Sequence, residues 1–109
     1  MTVGKVGDFQ ESLVRVFEIE GVKIAVVKHH GEFHALDGTC SHAEYSFNYT
    51  RVRPGDVILC SSHMAVFDLD TGKIRNWPGL DDLRLFPVRV EDNEVIVSNQ
   101  ALPSEADKD

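Results

Sequence analysis

The chain has 109 residues, 42% of them hydrophobic and 27% charged, which is the size of one ordinary domain with one modest core; a second domain is not expected. A formal charge of -7 repels phosphate, so nucleic acid and anionic membrane are poor partner candidates and a basic protein partner fits better. No stretch approaches the roughly 20 apolar residues of a membrane helix, and the start MTVGKVGDFQ has no run of signal-peptide length, so a soluble cytoplasmic protein is expected.

The apolar pattern is short and β-branched, with frequent turn signals, which predicts many antiparallel strands and no long helix. In chain order, strands are expected over 13–19, 22–28 and 33–37, joined by Glu20-Gly21 and by His29-His30-Gly31-Glu32. His29 and His30 are read as solvent-exposed turn residues, and His34 as a surface or hydrogen-bonded strand residue. From Gly38 to Asp56 the alternation lapses. Gly38, Pro54 and Gly55 punctuate this stretch while Tyr45, Phe47 and Tyr49 argue against disorder, so it reads as a long ordered loop. Strands follow over 57–60, 65–69, 73–75, 85–91 and 94–98, with tight turns at Asp70-Thr71-Gly72 and Asp92-Asn93 and with Pro87 at an edge or bulge. The tail NQALPSEADKD is polar and aperiodic and is expected to fray.

Two cysteines without an export signal are poor candidates for a structural disulfide, because the cytosol keeps thiols reduced. Each has a histidine beside it. Cys40-Ser41-His42 opens the long loop and Cys60-Ser61-Ser62-His63 lies 17 residues beyond His42, giving C-x-H-x17-C-x2-H. Close thiolate and imidazole pairs on two loops can point at a common centre, so a metal site is the leading reading. Zinc would accept these four ligands, but its usual spacing pairs Cys with Cys and His with His. Mixed pairs suit a binuclear cluster, with both thiolates on one iron and both imidazoles on the other. A zinc-stabilised interaction module stays open as the rival. Beyond these ligands there is no nucleophile-base pair and no 2-His-1-carboxylate pattern in the sequence.

On these residues the chain resembles the Rieske family, particularly the small ferredoxins serving bacterial aromatic-ring-hydroxylating dioxygenases. CSSHMAVFDLDTGKI resembles the second cluster loop and its following strand, with Phe67-Asp68 and Thr71-Gly72 as the aromatic-Asp pair and the turn. LRLFPVRVEDNEVIV resembles the closing hairpin, and Asn76-Trp77-Pro78-Gly79 the proline-containing loop that covers the cluster. The first loop departs from the family in its AEYSFNYTRVRPGD run.

The resemblance implies an all-β, Rieske-type antiparallel β-sandwich over residues 1–98, with a cluster-binding lobe of two loops inserted at about 38–79 and a flexible tail at 99–109. It implies one [2Fe-2S] cluster bound by Cys40, His42, Cys60 and His63, with no catalytic residues of the chain's own. The corresponding role is a one-electron carrier, not an enzyme, taking electrons from an NAD(P)H-dependent flavoprotein reductase and passing them to a terminal oxygenase. A Rieske-like small subunit of a larger reductase, such as nitrite reductase, is the alternative within the family. High-potential members carry an extra cysteine pair, a Ser two residues after the second His and a Tyr two further on. Here those two positions are Ala65 and Phe67. Without hydroxyls to stabilise the reduced cluster, the expected potential is toward the low end, about -150 mV on a Rieske scale of roughly -150 to +300 mV.

Overall fold

A computed structural model of the chain describes residues 1–39, 46–60, 65–76 and 82–102. Its frame is three antiparallel sheets. The central one is a meander of β2 (Arg15–Ile19), β3 (Val22–His29) and β4 (Glu32–Asp37). β2 and β3 pair from Arg15 opposite Val26 to Ile19 opposite Val22, and β3 and β4 from Ile24 opposite Asp37 to His29 opposite Glu32. Two-residue turns close both hairpins. Glu20-Gly21 has φ of 50° and 84°, and His30-Gly31 has 52° and 78°, the left-handed pairs whose twist matches that of the flanking strands. His29 therefore belongs to a strand, because the ladder runs one pair further than its polar sequence suggests.

β3 is buried on both faces, which explains its nearly continuous apolar run. Ala25 and Val27 enter one core cluster with Leu36, Phe47, Ile58 and Phe67. Ile24 and Val26 enter a second with Phe9, Phe86, Val95 and Val97. The central sheet thus lies between two smaller ones. On the first side are β5 (Val57–Leu59) and β6 (Val66–Asp68). On the second, β7 (Val88–Glu91) and β8 (Glu94–Val97) are joined by Asp92-Asn93, with β8 flanked by β1 (Thr2–Lys5).

β1 carries no strand signal in the sequence, since Val3 is its only large apolar residue. Its pairing with β8 comes from the ladder. A single 3-10 turn, Val6–Asp8, follows it, and among the described residues no helix is long and apolar enough to cross a membrane.

Two expected strands are shorter than their pattern. Residues 73–75 contribute one bridge, Ile74 opposite Phe67, with backbone hydrogen bonds on either side. Residues 85 and 86 pair with β4, through the Leu36–Leu85 bridge and Phe86 N–H donating to Ala35 O, whereas 88–91 pair with β8. Pro87 stands at the switch between the sheets, where its missing N–H costs no ladder bond. The start of the tail is tied down, with Leu102 N–H donating to Leu85 O at 2.7 Å and Asn99 Nδ2 to Glu20 Oε2 at 3.2 Å.

An Asp37–Arg84 clamp fastens the end of β4 to the returning chain. Arg84 Nη2 and Nε lie 2.8 and 3.0 Å from Asp37 Oδ1, and Arg84 N–H donates to Oδ2 at 2.7 Å. The Asp37 hydrogen bonds, with its charge, hold the Arg84 pKa above its ordinary value.

Candidate metal centre

Cys60 follows β5 directly, and its backbone N–H donates to Ala65 O at 2.9 Å, tying the end of β5 to the residue before β6. Its side chain is 1% exposed and packs in the core cluster that holds Ala65 and Phe67. The first loop is bracketed on its outward side by Gly38 and Thr39 and on its return by Ser46 and Phe47. Thr39 bridges Ser46, and Phe47 N–H donates to Gly38 O at 3.0 Å.

Phe47 is also 1% exposed, in the same core cluster as Cys60, and its ring meets that of Phe67 edge-on at 6.0 Å between centroids. The residues bracketing both ligand-bearing loops therefore share one apolar core. Those bracketing the third loop are tied to the same region: Asn76 Oδ1 accepts from Val66 N–H and Asp82 Oδ1 from Ile74 N–H, each at 2.9 Å.

Two glycines permit these approaches. A Cβ at Gly38 would lie 2.9 Å from both the Lys23 carbonyl carbon and Val16 Cγ1, so the exit from β4 can cross the β2–β3 hairpin closely only without a side chain. At Gly72, with φ at +73°, a Cβ would meet Leu83 O at 2.3 Å. The return of the first loop is more regular than its sequence suggests. Tyr49 N–H donates to Val14 O, Val14 N–H to Thr50 O and Val52 N–H to Ser12 O, each at 2.8 Å, so the segment runs as an extended partner of the chain entering β2.

Of the four expected ligands Cys60 is described; Cys40, His42 and His63 lie outside the described residues, as do Tyr45 and Trp77. As a thiolate among Ala65 and Phe67, Cys60 would need a cation bound to its sulfur, which an iron of the cluster would supply. Two thiolates and two imidazoles are the donor set of a mixed-ligand [2Fe-2S] centre.

Nearby charges fall into two groups that sequence alone leaves undivided. Arg75 pairs with Asp68, as Arg84 does with Asp37. Burial pushes the Asp68 carboxyl up, but the Arg75 hydrogen bond, the Asp70 N–H and the Arg75 charge together hold it below its ordinary value of 3.8. With the folded pKa depressed, the carboxylate stabilises the fold above the unfolded pKa and loses that contribution as pH falls through the folded one. Asp68→Asn is thus expected to lower stability at pH 7, with the deficit narrowing below pH 3.8, as urea unfolding at both pH values would measure.

Arg51 and Arg53, by contrast, are exposed and make no ion pair among the described residues. They line a cleft with Tyr49, Thr50 and Leu59, and Arg53 bridges Val57 at the start of β5. Tyr49 is 65% exposed, and the Arg15 guanidinium lies 5.6 Å from its ring centroid. This basic, aromatic surface is invisible in a net charge of -7.

Comparison with known proteins agrees with this architecture. The Rieske [2Fe-2S] domain family matches residues 1–87. The biphenyl dioxygenase ferredoxin subunit of Pseudomonas sp. (strain KKS102) is 37% identical over 75 residues, 69% of each chain. The ferredoxin component of the alkene monooxygenase system of Xanthobacter autotrophicus is 31% identical over 102 residues, 94% of this chain and 83% of that one. Among solved structures, a chain of the complex of reduced oxygenase and oxidized ferredoxin in carbazole 1,9a-dioxygenase aligns with a TM-score of 0.86 at 28% identity, covering 95% of this chain and 96% of that one. The all-β fold, the buried thiol between two bracketed loops and these matches lead to one conclusion: the chain belongs to the Rieske [2Fe-2S] domain family and carries one [2Fe-2S] cluster.

Proposed function

We propose that this chain is a one-electron carrier, a single domain over residues 1–98 that takes electrons from an NAD(P)H-dependent flavoprotein reductase and delivers them to a terminal ring-hydroxylating oxygenase. Cys40 and Cys60 would hold one iron, and His42 and His63 the other. The observation that carries this reading is the shared anchoring of the two ligand-bearing loops around Cys60, Phe47 and Phe67. The cluster, when bound, supplies reversible uptake of one electron. Cys60 provides a buried anionic ligand, while Ala65 and Phe67 exclude water and bring no hydroxyl toward it, which favours a potential at the low end of the Rieske range.

Relatives named as ferredoxins of a biphenyl dioxygenase and an alkene monooxygenase support delivery to an oxygenase. Arg51 and Arg53 change the expected partner chemistry. The patch they form with Tyr49 and Thr50 is basic, so it fits an acidic partner surface, against the basic partner that net charge suggests.

The decisive experiment is spectroscopic and kinetic. Purified protein is expected to be red-brown, to give the rhombic signal of a His-ligated cluster after dithionite, and to be bleached by NAD(P)H plus reductase, then recoloured by oxidised oxygenase. A colourless protein with one zinc per chain overturns the reading.

A further inference from the structure

Outside the cluster lobe, the fold gathers residues that the sequence keeps apart. His29 ends β3, His30 opens the turn after it, and Asp56 leads into β5. His29 Nε2 is 2.7 Å from Asp56 Oδ1, and His30 Nε2 is 3.7 Å from the same oxygen. The two imidazoles lie 4.0 Å apart between centroids. One ligating atom from each of the three residues falls within 4.8 Å of the others. Ligands of a tetrahedral zinc ion, at bonds of about 2.0–2.1 Å, stand about 3.3 Å from one another, so coordination asks the His29–Asp56 distance to open and the His30–Asp56 distance to close, each by only a few tenths of an ångström.

The far side of His29 is equally organised. Its Nδ1 is 2.7 Å from Ser12 Oγ, and Glu11 Oε2 stands 3.9 Å behind while accepting the His30 backbone N–H. A metal-ligating histidine needs such a partner to hold its ring and place the proton on the distal nitrogen. A serine hydroxyl is well suited, since it can donate to Nδ1 when Nε2 carries the proton toward Asp56, or accept from Nδ1–H when Nε2 binds a cation. The set is also open on one side. His29 is 12% exposed at its side chain, Asp56 49% and His30 76%, which leaves room for water or an outside ligand to complete the coordination.

We infer that His29 Nε2, His30 Nε2 and Asp56 Oδ1 form a second metal site, for one divalent transition-metal ion of the zinc class, with Ser12 and Glu11 orienting His29. Two imidazoles and one carboxylate select borderline cations such as Zn2+ over Mg2+ or Ca2+. The site is separate from the cluster, because Asp56 and Cys60 stand at opposite ends of β5, about 13 Å of strand apart. A bound ion would cross-link the β3–β4 hairpin to the entry of β5, replacing a hydrogen bond with coordination.

The test uses cluster-loaded protein washed free of adventitious metal and titrated with ZnCl2 by calorimetry, with the cluster's visible absorption followed throughout. One Zn2+ is expected to bind per chain with that absorption unchanged. His30→Ala and Asp56→Asn should each weaken binding at least tenfold, and Ser12→Ala should weaken it less. His30 is mostly solvent-exposed, so its variant should keep wild-type cluster content, which checks folding independently. No zinc uptake by wild-type protein, or uptake unchanged in the His30→Ala/Asp56→Asn double variant, overturns the inference. Either result would leave the electron-carrier reading standing, since that depends on the cluster spectrum.

Discussion

Cys60→Ser is expected to abolish the cluster, leaving a colourless protein without stoichiometric iron or acid-labile sulfide. A serine hydroxyl does not ionise near neutrality as a thiol does, and iron retention here depends on the thiolate. A second, smaller cost acts on the fold. Cys60 is 1% exposed in an apolar cluster, so a hydroxyl there is buried among Ala65, Phe67 and their neighbours at a cost of about 1–3 kcal/mol unless it finds a partner. Cys60→Ala separates the two effects, since it should lose the cluster equally while leaving the metal-free protein more stable than the serine variant. Iron and sulfide analysis, with urea unfolding of both metal-free variants, measures each part. A full cluster in Cys60→Ser would remove Cys60 from the ligand set.

Phe67→Ala is expected to destabilise the protein by about 3–5 kcal/mol. Phe67 is 0% exposed, sits opposite Ile58 in the β5–β6 ladder and meets the Phe47 ring edge-on. Its removal opens a cavity where the brackets of the two loops join. Against a total stability of about 5–15 kcal/mol, that loss removes a large share of the margin and, at the low end of the range, populates unfolded protein. Cluster retention should fall with it, because Phe47 loses the surface that seats the return of the first loop. Phe67→Leu keeps most of the volume and should cost less than about 1.5 kcal/mol while holding near wild-type iron. Denaturant midpoints and iron content of the two variants distinguish a packing role from a purely local one, which would leave iron content unaffected by the cavity.

Much of this molecule is written in local pattern. Alternation marks β2 and β4, the continuous apolar run marks β3 as doubly buried, and Glu20-Gly21 and Asp92-Asn93 carry the residue types that tolerate left-handed turns. The Cys40/His42 and Cys60/His63 pairs are legible for the same reason, since each pair lies within four residues and its chemistry needs no fold to be recognised. Cys60 lies in the core, and Cys40, His42 and His63 lie outside the described residues.

What the chain's neighbours in sequence do not carry is the choice of distant partner. β1 is a strand only because β8 offers it an edge, and 85–91 divides at Pro87 because its halves face different sheets. Arg51, Arg53, Arg75 and Arg84 look alike in the sequence, yet Arg84 is committed to a residue 47 positions away and Arg75 to one 7 away, while Arg51 and Arg53 stay exposed. His29 is the sharpest case. Read locally it is a polar turn residue, but the ladder carries it to the end of β3, where Ser12 and Asp56, 17 and 27 positions distant, take its two nitrogens. Periodicity and turn chemistry are properties of consecutive residues; which side chains meet is decided by register and packing across the whole chain.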